Sequence, residues 1–203
     1  MKLYKTWRIP DSDFEYKLDP KNRYQAKQRR ITLEHCSKFR TVIDIGAHIG
    51  FWAKDFCKKF ERVICFEPNK DVIKCLKQNL RTFSNFEIIN CALGQQKCRG
   101  KVVQGFALTT SCRIEQGNEI DIRPLDDFKF ENVDLIKLDV ESFEFSVLMG
   151  GKQTILKNKP IIVLEEKNHD HARYPKSMAR NVLTSWGYKV LDRVVDDYIM
   201  GWK

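Results

Sequence analysis

No apolar run in the sequence approaches the roughly 20 residues that a membrane-spanning helix requires. The N-terminal segment also has no apolar core of the kind found in secretory signals. We therefore predict a cytoplasmic protein without a membrane partner. No internal repeat or low-complexity segment occurs. With 42% apolar and 31% charged residues, the composition excludes collagen-like and largely disordered chains. What remains for 203 residues is a globular protein with a substantial core.

A paired cysteine motif is also missing. The sequence has seven cysteines but no CxxC pair, and their number is odd. This pattern argues against a disulfide framework and against a thiolate zinc site. We interpret the cysteines as reduced thiols, most of them buried.

The positive charge is concentrated near the N-terminus. The net charge is +9, and residues 1–40 hold most of the excess of basic over acidic side chains. We predict a basic N-terminal arm and helix over residues 1–40, followed by a main domain over residues 41–203. Aromatic residues alternate with cations in the arm, namely Tyr4, Trp7, Phe14, Tyr16 and Tyr24. This pattern fits either a surface for nucleic acid or an arm packed on the domain, and we favour packing.

From residue 41 onward, short apolar segments alternate with segments of helical period. The predicted strands cover residues 41–45, 62–66, 86–89, 133–138 and 160–164, and the predicted helices residues 24–39, 53–60, 69–80, 143–156 and 178–186. This alternation predicts an α/β fold with a doubly wound, mostly parallel sheet and helices on both faces. Glycine-punctuated residues 93–132 are predicted to form an insertion of β-ribbon and loop. The tail predicts an antiparallel hairpin at the edge of the sheet.

Doubly wound sheets bind ligands beyond the carboxyl ends of their strands. The first predicted strand contains Asp44 and leads into a turn that holds Gly46 and Gly50. His48 stands where the dinucleotide-binding fingerprint has its second glycine, so this turn does not predict a pyrophosphate site.

The other strand ends carry further polar residues. Glu67 follows the second strand, where an acid is suited to accept hydrogen bonds from both hydroxyls of an adenosine ribose. The small or polar residues after the third strand, Asn90, Cys91 and Ala92, suit an adenine ring lying against the backbone. Asp139 and Glu165 end the fourth and fifth strands. So many carboxylates favour a positively charged, adenosine-bearing ligand.

Five segments of the chain resemble the FkbM family of class I S-adenosylmethionine-dependent methyltransferases. In chain order they read VIDIGAHIGFWA, VICFEPN, FEIINCALG, VDLIKLDVESFEFSVLMGG and PIIVLEE, and they span about residues 40–166. The resemblance implies a Rossmann-like sheet, S-adenosylmethionine as cofactor and S-adenosylhomocysteine as product. It also implies methyl transfer to a hydroxyl group, usually of a sugar or polyketide.

The resemblance implies a role for each matching residue. Asp44, Gly46, His48 and Gly50 should line the methionine end of the cofactor, Glu67 should hold the ribose, Asn90, Cys91 and Ala92 should border the adenine, and Asp139 should lie beside the sulfonium and the acceptor. Two positions depart from the family pattern. His48 occupies a position where the family often has asparagine, and Ser142 replaces a common glycine.

Methyl transfer from a sulfonium to a hydroxyl needs alignment and removal of a proton. Asp139 and Glu165 are the candidate general bases because both follow strands of the sheet, and His169 and His171 are their rivals. The same acids and histidines, together with Glu166, resemble a carboxylate and imidazole set for a divalent metal ion. We treat the metal as the less favoured alternative and assign no metal ligands.

Two other classes of function stay open. One is a nucleic-acid methyltransferase, acting on RNA ribose or DNA, that uses the basic arm. Asp139 and Lys167 match part of the lysine–aspartate–lysine–glutamate set of ribose methyltransferases, and Cys112 is a candidate nucleophile by composition alone. The other is a cofactor-binding module without turnover. The favoured partner is a hydroxyl-bearing small molecule or glycan, and the sequence leaves the oligomeric state open.

Overall fold

The computed structural model describes residues 1–4, 6–13, 24–103, 113–166, 174–175 and 177–202. The strands are β1 Lys2–Tyr4, β2 Trp7–Ile9, β3 Thr41–Ile45, β4 Arg62–Phe66, β5 Phe86–Ile89, β6 Ala92–Leu93, β7 Cys98–Val103, β8 Arg113–Gln116, β9 Ile120–Arg123, β10 Val133–Leu138, β11 Ile161–Glu165, β12 Tyr188–Val194 and β13 Asp197–Trp202. The helices are α1 Ala26–Glu34, α2 Ala53–Phe56, α3 Lys70–Leu80, α4 Glu144–Gly150, α5 Lys152–Asn158 and α6 Met178–Ser185, with a 3₁₀ turn at Leu125–Phe128.

A seven-stranded sheet forms the centre, in the order β12, β13, β11, β10, β3, β4, β5. The five strands from β11 to β5 are parallel, whereas β13 and β12 form the antiparallel hairpin at one edge. This confirms the doubly wound α/β fold and its edge hairpin. The chain order reverses between β3 and β10, so the switch point lies at their carboxyl ends.

Alternate residues of each central strand pack into separate cores on the two faces of the sheet. Val42 of β3 belongs to the core that includes Leu76 of α3. Its neighbour Ile43 belongs to the opposite core, with Leu148 of α4 and Leu183 of α6. Successive side chains of a strand point to opposite faces, so a strand buried on both faces has an apolar run rather than an alternating pattern.

The predicted single helix over residues 143–156 is wrong, because α4 and α5 are separate helices that meet at Gly151. A Cβ at the preceding Gly150 would overlap the carbonyl oxygen of Gly94. This close approach of two backbones requires glycine, and two consecutive glycines interrupt a helix readily. Two other predicted helices are shorter than expected, since α2 ends at Phe56 and α1 covers only Ala26–Glu34.

The predicted insertion contains a small second sheet. Its order is β6, β9, β7, β8, with β6 and β9 parallel and the other pairs antiparallel. Residues 104–112, which include Cys112, lie outside the described residues.

The arm contains a β-hairpin that was not predicted from the sequence. Strands β1 and β2 pair in antiparallel fashion, and Trp7 and Ile9 of β2 are almost completely buried. The Trp7 ring packs against Phe51 with 5.0 Å between centroids, so it is not exposed for stacking on a base. This agrees with an arm packed on the domain. Phe14 and Tyr16 lie outside the described residues.

Two other expectations can be compared with the structure. Four of the six cysteines in the described ranges are buried, as predicted. Each helix in the described part of the chain is too short or too polar to cross a bilayer.

Candidate functional site

The loop after β3 forms the floor of the site at the switch point. Gly46 has a left-handed backbone conformation, with φ of 76°, and its amide donates to the carbonyl of Phe66 at 3.0 Å. A Cβ at Gly46 would overlap the carbonyl oxygen of Asp139. The loops after β3, β4 and β10 therefore meet at one glycine that tolerates no side chain.

Glu67 joins the loop after β4 to the loop after β3. Its carboxylate accepts hydrogen bonds from the amide of His48 at 2.9 Å and from the amide of Asn69 at 3.0 Å. Burial raises the pKa of Glu67 to about 7, although these two donors oppose the rise. A carboxylate has about four acceptor positions, so Glu67 keeps capacity for two further donors. Asn69 also caps α3, accepting from the amide of Asp71 at 3.0 Å, which fixes where the loop ends.

His48 contributes a neutral imidazole to the same loop. Its ring stacks on Phe51 with 6.0 Å between centroids. Burial lowers the pKa of His48 to about 4, and the nearby carboxylates of Asp13 and Asp139 only partly oppose this. The uncharged ring is therefore suited to packing and to hydrogen bonding rather than to holding a positive charge.

Lys137 is the central residue of the site that sequence reasoning missed. It is buried on β10, and its Nζ donates to the carbonyl oxygen of Gly46 at 2.8 Å. The same Nζ lies 3.5 Å from Asp44 Oδ1 and 3.5 Å from Asp139 Oδ2. Burial by itself lowers the pKa of Lys137, but Asp139, Asp44 and Glu165 outweigh burial and raise it. A single lysine within an apolar strand was the sequence signal for this position.

Asp44 is completely buried in the middle of the sheet. Burial raises its pKa, and the ammonium group of Lys137 offsets part of this rise. The ammonium of Lys137, 3.5 Å from Oδ1, is the counter-charge of this carboxylate. Asp44 thus places a buried and partly neutralised negative charge next to the loop after β3.

The loop after β10 has unusual backbone geometry. Glu141 and Ser142 both have left-handed conformations, with φ of 51° and 75°. Glu144 holds the loop closed, because its Oε1 accepts from the amides of Val140 and Ser142, each at 3.2 Å. Burial raises the pKa of Glu144 to about 7. Sequence reasoning missed this residue.

Both departures from the family pattern fall on left-handed positions. Ser142 stands at φ of 75° where the family commonly has glycine, and His48 at φ of 51° where it often has asparagine. Glycine and asparagine adopt this conformation at the lowest cost, which explains the preference of the family at both positions.

Three carboxylates converge above Lys137. Asp139, Glu141 and Glu165 each present an oxygen within 4.8 Å of the other two. Such a set has the chemistry to hold a cation or to accept a proton. Glu166 is not part of it, because its Oε2 accepts from Arg180 of α6 at 3.2 Å. His169, His171 and Lys167 lie outside the described residues.

The residues after β5 lie next to Glu67. Asn90 donates from Nδ2 to the carbonyl oxygens of Glu67 at 3.1 Å and Pro68 at 2.9 Å. Cys91 and Ala92 follow and are buried. Of the site residues predicted from the sequence, the structure thus places Glu67 and Asn90 next to each other, after β4 and β5. It groups Asp44, Gly46 and Asp139 around Lys137 at the carboxyl ends of β3 and β10.

The described residues fit the cofactor that the family resemblance implies. An adenosine with a cationic methionine end needs hydrogen-bond acceptors for its two ribose hydroxyls and negative charge near its ammonium group. It also needs a stretch of protein backbone without a side chain, which the cofactor can approach closely. Glu67 has the acceptor capacity, and Gly46 leaves the backbone free of a side chain. Asp44 and Asp139 together outweigh the single positive charge of Lys137.

Comparisons with known proteins identify the family and the fold of the chain. The sequence profile of the methyltransferase FkbM domain matches residues 44–190. The structure of an FkbM methyltransferase from Methylobacillus flagellatus superposes with a TM-score of 0.57 at 22% identity, covering 81% of this chain and 44% of that one. A precorrin-6y C5,15-methyltransferase from Geobacter metallireducens gives a TM-score of 0.56 at 16% identity, with 98% and 100% coverage.

A putative RNA methyltransferase from Pyrococcus horikoshii gives a TM-score of 0.53 at 13% identity, with 99% of this chain and 94% of that one covered. Identities this low establish a shared fold and not a shared substrate. The chain spans 44% of the length of the Methylobacillus structure. No curated protein sequence matches the chain.

Proposed function

Because the chain belongs to the FkbM family of methyltransferase domains, we propose that it transfers a methyl group from S-adenosylmethionine to a hydroxyl oxygen of a small molecule or glycan. The observation that carries this proposal is the junction at Lys137, which ties the cofactor loop at Gly46 to the carboxylate of Asp139. Methyl transfer requires the bound cofactor and a proton acceptor to be held in fixed positions relative to each other.

The cofactor residues act by binding and orientation. S-adenosylmethionine, when bound, supplies an electrophilic methyl group on a sulfonium. Glu67 accepts hydrogen bonds from the ribose hydroxyls, and Asp44, paired with Lys137, contributes negative charge near the cationic methionine end. Asn90, Cys91 and Ala92 border the adenine, and His48 and Gly50 complete the loop around the methionine end.

Asp139 is the proposed general base. It is partly exposed at the carboxyl end of β10, whereas Asp44 is fully buried and Lys137 is nearly so. An adjacent ammonium favours carboxylate over carboxylic acid, so Lys137 keeps Asp139 ready to accept the hydroxyl proton. Glu165 lies in the same carboxylate group and is the alternative base, with His169 as a further candidate.

A divalent cation on Asp139, Glu141 and Glu165 is a less favoured addition, and loss of turnover after exhaustive chelation would support it.

Calorimetric titration with S-adenosylhomocysteine tests the cofactor site through Glu67. The Glu67→Gln variant should bind about 10- to 100-fold more weakly, since it loses charge-assisted hydrogen bonds to two hydroxyls. Glu87→Gln, at an exposed glutamate paired with Arg62, is the matched control and should bind like the wild type. Equal affinity of Glu67→Gln and wild type would contradict the ribose role.

Cofactor binding should also depend on pH through Glu67. Its pKa is about 7 because of burial, and only the ionised carboxylate can accept hydrogen bonds from both ribose hydroxyls. Affinity should therefore fall as the pH drops through 7, by up to about tenfold between pH 7.5 and pH 6. The Glu67→Gln variant should lack this dependence, which the same titration repeated across pH would measure.

Turnover assays on an acceptor panel test the reaction itself. Asp139→Asn should lower methyl transfer by about 10²- to 10⁴-fold while S-adenosylhomocysteine still binds. Asp121→Asn, at an exposed aspartate paired with Arg99 on the second sheet, is the control. Full activity of Asp139→Asn would remove it from the mechanism.

The panel should include neutral sugars, glycans and oligonucleotides, because preferential methylation of oligonucleotides would favour the nucleic-acid alternative. Cofactor binding with no turnover on any acceptor would favour a binding module.

A further inference from the structure

Asn79 connects three parts of the molecule that are distant in sequence. It is buried on α3, and its Oδ1 accepts a hydrogen bond from the backbone amide of Arg8 at 2.7 Å. Its Nδ2 donates to the carbonyl oxygens of Arg8 at 2.9 Å and of Ile49 at 2.9 Å. Arg8 lies in β2 of the arm, and Ile49 lies between His48 and Gly50 in the cofactor loop. One side-chain amide thus bonds to both the arm and the loop.

The arm also packs directly beside the loop and places a buried charge near it. Trp7 packs against Phe51, directly after the loop, and the ammonium of Lys54 lies 4.7 Å from the centre of the Trp7 ring. Asp13 is completely buried, and its charge acts on His48. Arm residues on both sides of Arg8 therefore also interact with the loop or with the residues next to it.

We propose that arm residues 7–13 are a functional part of the cofactor site and that Asn79 is a positioning residue coupling the order of the arm to cofactor affinity. This inference rests on the proposed function, since the ligand is the cofactor proposed above. The loop contains left-handed residues at Gly46, His48 and Gly50, and the amide of Asn79 fixes the carbonyl between the last two. When the arm detaches, Asn79 loses its other two bonds and no longer holds Ile49 in one position.

Thermodynamic linkage makes this coupling reciprocal. If an ordered arm raises the affinity for the cofactor, bound cofactor must stabilise the ordered arm by the same factor. The Arg8 amide reports on the arm, because it donates to Asn79 and is shielded from solvent hydrogen exchange only while that bond is formed.

Two variants at Asn79 test the proposal. Asn79→Ala removes all three hydrogen bonds. Asn79→Asp keeps an acceptor for the Arg8 amide but brings a carboxylate against two carbonyl oxygens. Both should weaken S-adenosylhomocysteine binding by about tenfold or more in calorimetry. Both should also speed hydrogen exchange at Arg8, and in the wild type saturating S-adenosylhomocysteine should slow that exchange.

Asn85 provides a matched control for a structural role. Its Nδ2 also donates to two backbone carbonyls, those of Cys57 at 3.0 Å and Phe60 at 2.7 Å, but it lies at the opposite end of the sheet from the cofactor loop. Asn85→Ala should lower the melting temperature without changing cofactor affinity.

The outcomes separate this inference from the proposed function. A wild-type chain that fails to bind S-adenosylhomocysteine would overturn both. A wild-type chain that binds, with Asn79→Ala and Asn79→Asp binding equally tightly, would overturn the coupling alone. Parallel loss of affinity in Asn79→Ala and Asn85→Ala would show that general destabilisation is responsible and would also reject the specific role of Asn79.

Discussion

Gly46→Ala is expected to weaken cofactor binding by on the order of 100-fold. The new Cβ would overlap the carbonyl oxygen of Asp139, and the backbone at this position is left-handed, with φ of 76°. Neither conflict can be relieved by rotating a side chain, since the neighbour is backbone. The loops after β3 and β10 must separate, and a displacement of about 1 Å costs on the order of 100-fold in a preorganised site. Calorimetry with S-adenosylhomocysteine measures the loss.

The same substitution should lower the free energy of unfolding by about 3 kcal/mol or more. Gly187→Ala is the control for this effect, because Gly187 also has positive φ, at 102°, but precedes β12 and lies near Trp202. That variant should be destabilised and yet bind the cofactor normally. Unchanged cofactor affinity in Gly46→Ala would mean that the three loops do not form the cofactor cradle.

Lys137→Met should have the largest effect on stability among the side-chain variants. The substitution leaves Asp44 fully buried without its counter-charge and removes the hydrogen bond to Gly46. Removing one partner of a buried ion pair typically costs 3–5 kcal/mol, and we expect a loss of about that size at pH 7 in chemical denaturation. Cofactor affinity and turnover should fall as well, because Gly46 and Asp139 lose their common partner.

The pH dependence of this variant identifies the cause. Burial already raises the pKa of Asp44, and loss of the ammonium raises it further. A carboxyl group with a higher pKa in the folded state contributes stability that is lost as the pH rises through that folded pKa. The deficit of Lys137→Met should therefore be smaller at pH 5 than at pH 8. Adding Asp44→Asn should restore much of the stability at pH 8, and a double variant as unstable as the single one would exclude the charge explanation.

Much of the fold was predictable from local patterns. The apolar runs at residues 41–45 and 62–66 are strands β3 and β4 as expected, because parallel strands buried on both faces need continuous apolar residues. The predicted helix over residues 69–80 is likewise α3, Lys70–Leu80, with Asn69 as its cap. The break between α4 and α5 was missed, since it depends on how closely Gly150 approaches Gly94 in space.

The residues of the candidate site were also only partly predictable from the sequence. Strand-end residues such as Glu67 and Asp139 were visible because a doubly wound sheet brings its carboxyl ends together whatever the details of packing. Lys137, Glu144 and Asn79 were not singled out, because each acts on partners far away in sequence. Lys137 bonds to Gly46, and Asn79 to Arg8.

The sequence alone therefore determined the strands of the central sheet, their order along the chain and the polar residues at their ends, since hydrophobic period and turn residues are local properties. Only the tertiary structure decided which of those residues share charges and hydrogen bonds. Burial raises the pKa of Glu67 to about 7, and one ammonium lies between Asp44 and Asp139. Both facts depend on desolvation and on distances between chain segments, which a linear pattern does not contain.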